Sequence, residues 1–279
     1  MRVVIVTLDN HLAGAVERAG RTLRQEVAGL ELSFHAAADW GERPGELERC
    51  RDDIATGDII LATMLFMDEH IQAILPALQA RRERCDAMIG CMSAGEVVRL
   101  TRLGRFSMQG GTSGPMALLR RLRGSGKQGE SSGAKQMAML RRLPRILRFI
   151  PGTAQDMRAY FLTLQYWLAG SDDNVAAMVR YLVDRYAEGP RRSWRGRLKV
   201  TPPVDYPEIG LYHPALRGRT TDALGKLPRP AQAKGTVGLL LMRSYVLAGN
   251  TAHYDGVIRA LEARGLAVVP AFAGGLDAR

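Results

Sequence analysis

The sequence predicts an α/β fold that opens with a flavodoxin-like or Rossmann-like parallel sheet, continues into a helical segment, and reaches the start of a second α/β domain. Over residues 1–103, short β-branched apolar runs alternate with stretches of helical periodicity, and one more strand–helix–strand pattern follows at 236–279. The strands are continuous apolar runs, which is typical of parallel strands that helices cover on both faces.

Residues 1–103 form the predicted amino-terminal α/β domain, with helices between four strands. Asp68 is placed to cap the helix after the third strand. Ser93 and Glu96 have capping-box spacing after the fourth strand. The predicted strands are VVIVTL (3–8), LELSFHA (30–36), DIILATMLF (58–66) and DAMIGCM (86–92).

Residues 104–133 are a basic excursion rich in glycine and serine. Its GSGK stretch at 124–127 is similar to part of a phosphate-binding loop, but Arg121 and Gln128 stand where that motif needs glycine and a hydroxyl residue. The sequence therefore predicts no nucleotide site here. A hydrolase-type nucleophile at Ser93 is equally disfavoured, since Cys91 replaces the first glycine of the elbow motif.

Residues 134–189 form a predicted helical segment of three helices. Thr153 with Asp156 has capping-box spacing at the second helix, and Ser171 is placed to cap the third. Residues 190–235 follow as a proline-rich basic connector, in which the prolines exclude long regular elements. We expect this connector to cross the molecule without packing.

Residues 236–279 contain one βαβ unit, which is too small to bury its own core. Its strands would either join the first sheet or pair with neighbours outside this chain, and the second option agrees better with a sequence that stops just past a strand at FAGGLDAR. We therefore expect the chain to be the front portion of a longer protein whose second α/β domain is truncated.

The composition, with 46% hydrophobic and 24% charged residues, is that of a soluble globular protein. No apolar stretch predicts a membrane span or a leader, so the default location is cytoplasmic. Three cysteines without CxxC spacing and five histidines without paired spacing predict neither a disulfide framework nor a local metal site.

The net charge of +11 is concentrated in residues 102–149, which carry eleven Lys and Arg and one acid. Such a segment attracts nucleic acid, anionic lipid or an acidic protein surface alike. No nucleic-acid-binding motif and no interleaved aromatic residues accompany it, so we predict no nucleic-acid partner. It is a candidate docking face for other subunits or for a membrane surface, and the alternative is a solvated positive face.

Two polar stretches are candidates for a binding site. GLYHP at 210–214 contributes His213 in a non-helical segment. RSYVLAGNTAHYDGV at 243–257 follows the first strand of the second unit and brings Arg243 and His253 towards its carboxyl end, where open α/β sheets bind ligands. The alternative is that these side chains only make turns and caps.

These same stretches, together with LMRSYVLAGNTAHYDGVIRALEARGLAVVPAFAGGLD, resemble the start of the large domain shared by magnesium chelatase H subunits and cobaltochelatase large subunits. MRVVIVTLDNHLAGAV, DIILATMLFMDEHI and CMSAGEVVRLTRLGRF are similar to the amino-terminal domain of the magnesium enzymes. The resemblance spans essentially the whole chain and favours the H-subunit family over cobaltochelatase.

The resemblance implies the amino-terminal part of a porphyrin-binding subunit that takes part in ATP-dependent insertion of Mg²⁺ into protoporphyrin IX, in chlorophyll or bacteriochlorophyll synthesis. Mg²⁺ and protoporphyrin IX would be substrates, separate I and D subunits would hydrolyse ATP, and contact with a membrane would be peripheral. It makes Arg243, His213 and His253 candidate porphyrin contacts. No catalytic residue is predicted, and we expect this stretch alone to be inactive. The rival hypothesis is a non-enzymatic basic module that binds nucleic acid or regulates.

Overall fold

A computed structural model describes residues 1–109 and 142–274, so the GSGK stretch and most of the basic excursion lie outside the described residues. The first sheet has six strands in the order β2-β1-β3-β4-β5-β6, of which the first four are parallel. This is the order of a flavodoxin-like sheet, so the predicted α/β class is confirmed. Its strands are β1 (Arg2–Thr7), β2 (Glu31–Ala36), β3 (Ile59–Thr63), β4 (Ala87–Cys91), β5 (Arg102–Leu103) and β6 (Phe106–Ser107).

Helices connect the strands of the first sheet and continue after it. The described part of the chain also contains 3₁₀ turns at Ala37–Asp39, Gly189–Trp194 and Leu224–Lys226, and residues 142–147 are helical. The longer helices up to residue 186 are α1 (Ala13–Glu26), α2 (Glu46–Thr56), α3 (Asp68–Arg81), α4 (Gly95–Arg99), α5 (Thr153–Ala169) and α6 (Asp172–Tyr186).

Two hydrophobic cores lie on opposite faces of the first sheet. On one face, Leu61 and Ile89 pack with residues of α1, α5 and α6. On the other, Ile60 and Met88 pack with residues of α2 and α3. Consecutive residues of a strand point to opposite faces, so a strand that is apolar throughout contributes to both cores. The continuous apolar runs of the sequence are therefore explained by burial on both faces.

The second sheet has the order β8-β7-β10-β9, with β9 and β10 parallel and the other two pairs antiparallel. One face packs on a small core that includes Tyr212, Ile258 and Phe272. Its elements are β7 (Ile209–Tyr212), β8 (Thr220–Thr221), β9 (Gly235–Met242), α7 (Arg243–Leu247), α8 (Ala252–Glu262) and β10 (Leu266–Ala273).

This sheet corrects two expectations. The proline-rich connector does not merely cross the molecule, because β7 and β8 lie within it and β7 pairs with β10. The terminal strands stay out of the first sheet, as expected, but the expectation that their neighbours lie outside this chain is wrong for β10, which pairs with β7, and β8 continues the sheet beyond β7. Within the described residues, the outer edge of β9 has no partner strand, and Leu240 and Met242 are largely exposed.

Three predicted caps are wrong, and one is confirmed. The Ser93 hydroxyl accepts a hydrogen bond from the Leu65 amide and donates one to the Cys91 carbonyl, so it joins β3 and β4 and does not cap α4. Asp68 is the first helical residue of α3 and makes no capping bond.

At α5 the expected Thr153 box is absent, because Asp156 turns towards the β5–β6 hairpin and α6. Its carboxylate accepts hydrogen bonds from the Arg105 amide, Arg185 and the Tyr186 hydroxyl, each at 3.0 Å. Ser171 does cap α6, since its hydroxyl oxygen accepts a hydrogen bond from the Asn174 amide. Ser93 and Asp156 thus bind partners elsewhere in the fold and do not make the helix caps that their spacing predicted.

Among the described helices, none combines the length and apolar character needed to cross a bilayer.

Candidate functional site

The carboxyl end of β9 carries two of the predicted site residues on consecutive helices. Arg243 is the first residue of α7, and His253 is the second residue of α8. The helix α7 begins directly after β9, and the first turn of α8 reaches the same strand end through the Tyr254 hydroxyl, which binds the Met242 amide. Open α/β sheets bind ligands at this edge. The expected placement of these side chains near the carboxyl end of β9 is therefore what the fold produces.

The Arg243 guanidinium is bound to the segment that precedes β7. Its Nε and Nη2 atoms donate to the carbonyl oxygens of Pro207 (2.8 Å) and Tyr206 (2.9 Å). The Nε atom also lies 3.9 Å from a carboxylate oxygen of Glu208, and the side chain is only 13% exposed. An incoming carboxylate would therefore have to displace or share these carbonyl partners.

His213 lies apart from this edge, directly after β7, and is buried. Its Nδ1 accepts a hydrogen bond from the Ala215 amide at 3.2 Å, and its Nε2 lies 3.0 Å from a carboxylate oxygen of Glu262. This arrangement matches a neutral ring that donates from Nε2, with both nitrogens occupied. The side chain ties the turn after β7 to the end of α8.

His253 is exposed and belongs to a cluster of four rings that joins the two sheets. The Tyr245 ring lies 5.5 Å from the His253 ring and 5.6 Å from the His11 ring, which follows β1 in the first sheet. The centroids of His253 and Tyr254 are 3.9 Å apart, and the Tyr254 hydroxyl accepts a hydrogen bond from the Met242 amide. We call His11, Tyr245, His253 and Tyr254 the junction cluster.

One member of the junction cluster also affects a carboxylate. The His11 Nδ1 atom contacts the Asp9 carboxylate in the loop after β1, and this hydrogen bond holds the pKa of Asp9 below its ordinary value. The pair places a charged carboxylate beside the aromatic rings. The sequence analysis did not identify His11 and Tyr245 as site residues. The one indication for His11 was its position just after the first strand, where open α/β sheets bind ligands.

A hydrogen-bond network fixes the amino end of α8. The Tyr212 hydroxyl donates to Asp255 at 2.5 Å, and Arg219 donates to the Thr251 hydroxyl at 3.1 Å while lying 3.9 Å from Asp255. Burial raises the pKa of Tyr212, so the phenol remains a proton donor to Asp255. A carboxylate in the first turn also suits the positive end of the helix dipole. This network positions α8 and with it His253.

A cavity of about 440 Å³ lies where the two sheets meet, near the carboxyl ends of β1 and β2. Arg18 of α1 crosses it, donating to Asp172 of α6 (3.0 Å) and to the Ala248 carbonyl before α8 (2.7 Å). Cations and carboxylates are mixed on its wall, which includes Asn10, Gly14, Arg18, Asp39, Arg43 and Asn250.

A second cavity of about 590 Å³ has a more uniform charge. Four arginines face one carboxylate, and apolar side chains complete the wall. The residues that define this arginine groove are Arg142, Arg145, Arg148, Phe149, Arg158 and Asp205.

The ranges 1–109 and 142–274 hold no group of three or more histidine, cysteine or acidic side chains placed to bind a metal ion. The three cysteines are free and buried, and burial raises the pKa values of Cys50 and Cys91 to about 12. These thiols stay protonated near neutral pH and are poor nucleophiles.

Comparison with known proteins identifies two adjoining families. Residues 2–161 match the family described as Domain of unknown function (DUF3479), and residues 164–279 match CobN/Magnesium Chelatase. The chain is 54% identical over 277 residues to the magnesium-chelatase H subunit of Cereibacter sphaeroides and 52% identical to that of Rhodobacter capsulatus. Each alignment covers 99% of this chain and 23% of the relative, so the chain spans less than a quarter of their length.

More distant relatives cover the same range. A chloroplastic magnesium-chelatase subunit from Oryza sativa is 31% identical over 297 residues, covering 99% of this chain and 21% of that protein. The solved catalytic subunit of cobaltochelatase from Mycobacterium tuberculosis aligns with a TM-score of 0.44 and 15% identity, covering 100% of this chain and 16% of that chain.

Proposed function

Because this chain belongs to the family described as Domain of unknown function (DUF3479), and its remaining part matches CobN/Magnesium Chelatase, we propose that it works as part of a porphyrin-binding H subunit of magnesium chelatase. The reaction is ATP-dependent insertion of Mg²⁺ into protoporphyrin IX, in the synthesis of chlorophyll or bacteriochlorophyll. The observation that carries this proposal is the 54% identity to a magnesium-chelatase H subunit across 99% of the chain.

In this proposal Mg²⁺ and protoporphyrin IX are substrates, and separate I and D subunits hydrolyse ATP. Insertion requires loss of two pyrrole N–H protons and partial dehydration of a tightly hydrated cation, so it needs a base and oxygen ligands near the ring. The described residues of this chain contribute cations, aromatic rings and a rigid scaffold. Their role in the proposal is to bind and orient, in the cytoplasm or at the periphery of a membrane.

We propose Arg243, His253 and His213 as porphyrin contacts in decreasing order of expected effect. Arg243 can pair with a propionate if it exchanges a backbone carbonyl for a carboxylate, which is a stronger partner. His253 presents an exposed ring beside two tyrosines, a surface suited to a flat aromatic ligand. Both nitrogens of His213 already have partners, so a porphyrin contact would require it to exchange one of them, and its expected effect is the smallest.

Porphyrin titration tests the proposal. We expect the emission of protoporphyrin IX to change saturably on addition of the full chain. Arg243→Ala should weaken binding by about tenfold or more, which corresponds to the loss of one charge-assisted hydrogen bond. His253→Ala should weaken it less. Arg217→Ala removes an exposed arginine in the turn after β7 and serves as the matched control.

Two failures can be told apart. If the chain shows no saturable change while the Cereibacter sphaeroides protein does under the same conditions, the chain holds no porphyrin by itself and the binding role assigned to it is wrong. If the chain binds but Arg243→Ala and His253→Ala match the control, the binding role stands and the residue assignment is wrong. Circular dichroism of each variant confirms that the fold is retained.

A further inference from the structure

The cavity where the two sheets meet has a wall built from three separate parts of the chain. The loop after β1 and the first turn of α1 contribute Asn10 and Gly14. The end of β2 and the turn after it contribute His35 and Asp39, and the turn between α7 and α8 contributes Asn250. Its volume of about 440 Å³ falls in the range of small-molecule sites, about 300–1,000 Å³. We call it the seam cavity.

A buried histidine on this wall lacks one hydrogen-bond partner. The His35 side chain is only 7% exposed, and its Nε2 atom lies 2.9 Å from a carboxylate oxygen of Asp53. Asp53 also accepts a hydrogen bond from Arg2 at 2.9 Å, so Asp53 is the acceptor and Nε2 carries the hydrogen. The Nδ1 atom of His35 has no partner in the part of the chain that the structure describes.

The unpartnered nitrogen indicates what a ligand has to supply. Nearly all buried polar atoms in folded proteins have a hydrogen-bond partner. In an uncharged ring that donates from Nε2, the Nδ1 atom is an acceptor. Since the His35 ring lies on the wall of the seam cavity, a bound molecule with a hydrogen-bond donor can satisfy it.

Two carboxylates line the same cavity and keep room for a further donor. Asp39 accepts a hydrogen bond from the Asn10 amide group at 3.2 Å and lies 3.4 Å from Arg43, and Glu46 of α2 lies 2.8 Å from Arg49. A carboxylate has about four acceptor positions, so these contacts leave some of them open. An ammonium group carries three donors and suits the two carboxylates and the histidine nitrogen together.

The opposite charge is favoured at the start of α1. No side chain caps this helix and its first turn has no acidic residue, so the positive end of the helix dipole is uncompensated where Ala13 and Gly14 line the cavity. Arg18 uses Nε and Nη2 for Asp172 and the Ala248 carbonyl, while its Nη1 atom makes no hydrogen bond with any described residue.

Glycine at position 14 keeps this Nη1 atom accessible, since a Cβ there would lie 3.3 Å from it. Uncapped amides at a helix start and a guanidinium group are both partners that carboxylates favour. One part of the wall therefore suits an anionic group, and another part suits a cationic group.

The mixture of charges limits the class of ligand. A phosphate dianion would meet two carboxylates, and a metal ion alone would meet Arg18. The described residues also contain no group of three or more metal-binding side chains. A small molecule that carries both a carboxylate and an ammonium group matches both parts of the wall.

We propose that the seam cavity binds a small free amino acid. The carboxylate of the ligand is held by the start of α1 and by Arg18. Its ammonium group is held by Asp39, Glu46 and the Nδ1 atom of His35. This inference does not depend on the chelatase role, so amino-acid binding and porphyrin binding can fail separately.

Calorimetric titration of the full chain with each of the standard amino acids tests the proposal. At least one of them should bind saturably at one site. The same molecule without its amino group, or without its carboxyl group, should bind at least about tenfold more weakly, because each group makes charge-assisted hydrogen bonds. Inorganic phosphate serves as the purely anionic probe and should bind more weakly than that amino acid.

Variants on the two sides of the cavity are compared with neighbours on the same helices. Glu46→Gln should weaken binding of the amino acid by about tenfold, and Glu48→Gln, at an exposed position in the same first turn of α2, should leave it unchanged. Arg18→Gln should weaken it by about tenfold or more, and Arg21→Gln on the exposed side of α1 should not. Circular dichroism confirms that each variant is folded.

The histidine has its own readout in long-range ¹H–¹⁵N spectra. Addition of the amino acid should shift the Nδ1 resonance of His35 and leave that of His213, whose nitrogens both have partners, in place. Absence of binding by every amino acid overturns the proposal. So does tighter binding of phosphate, which would show a simple anion site, and so does binding that neither Glu46→Gln nor Arg18→Gln weakens, which would show that the ligand lies elsewhere.

Discussion

The two sheets of this protein are covered differently. All five residues of β3 and of β4 in the first sheet are buried, and helices pack on both faces. In β9 of the second sheet, exposed residues alternate with less exposed ones, and Leu240 is 63% exposed. Both sheets contain parallel apolar strands, yet only the first is enclosed within the described residues. An apolar strand sequence thus indicates that the strand is to be buried, but it does not indicate which elements bury it.

The largest expected effect comes from shortening one leucine in a central strand, compared with one leucine in an edge strand. Leu61 of β3 is 1% exposed and packs under α1, so Leu61→Ala should lower the free energy of unfolding by about 2–5 kcal/mol. Leu240→Ala removes an exposed side chain and should change it by less than about 0.5 kcal/mol. Urea denaturation followed by circular dichroism measures both. Equal losses would mean that the Leu240 face is covered in solution.

Two glycines, one in each sheet, differ in the space that surrounds their Cα atoms. A Cβ on Gly90 of β4 would overlap the Val97 carbonyl of α4, whereas a Cβ on Gly238 of β9 meets nothing within 4 Å. Gly90→Ala should therefore destabilise by about 1–3 kcal/mol. Gly238→Ala should stabilise by up to about 1 kcal/mol, since it lowers the entropy of the unfolded chain. Thermal unfolding midpoints should move in opposite directions, and a shift of the same sign contradicts this reading of β9.

The smallest expected effect is the loss of an ion pair, and its size depends on pH. Glu26 at the end of α1 accepts two hydrogen bonds from Arg180 of α6, at 2.6 and 2.7 Å, and this pair lowers the pKa of Glu26. The pKa of Glu26 is lower in the folded protein than in the unfolded chain. The ion pair therefore stabilises the fold fully at pH values above the pKa of Glu26 in the unfolded chain, and this stabilisation is lost as the pH falls through the pKa of Glu26 in the folded protein.

Glu26→Gln should consequently cost less than about 1 kcal/mol near neutral pH, as expected for a partly exposed pair, and the difference from wild type should vanish in acid. Denaturation midpoints measured across the acidic range check this variant. A Glu26→Gln effect that grows on acidification would contradict the assigned direction of the pKa shift.

The sequence predicted the parts of the fold that carry a long pattern. The four parallel strands and the βαβ unit were found because β-branched runs and helical periods extend over many residues. The hairpin of β5 and β6 and the strands β7 and β8 were missed, since elements of two to four residues show no period and β7 lies among prolines. The caps at Ser93 and Asp156 failed because tertiary contacts offered those side chains other partners.

The candidate site was also predictable only where a residue follows a strand that the sequence pattern reveals. Arg243 and His253 follow a recognisable strand, so their position at its carboxyl end follows from topology. The approach of His11 to Tyr245 depends on how the two sheets meet, and no local pattern encodes that. The cavity beside His35 likewise forms only where the two sheets meet.

The bridge made by Arg18 has a mechanical consequence. One guanidinium fastens α1 to α6 through Asp172 and to the second sheet through the Ala248 carbonyl. Any rocking of the second sheet against the first must break that bond to the second sheet, and a solute entering the cavity beside it would compete for the same group. Arg18 is therefore one of the side chains that hold α1 and α6 against the second sheet.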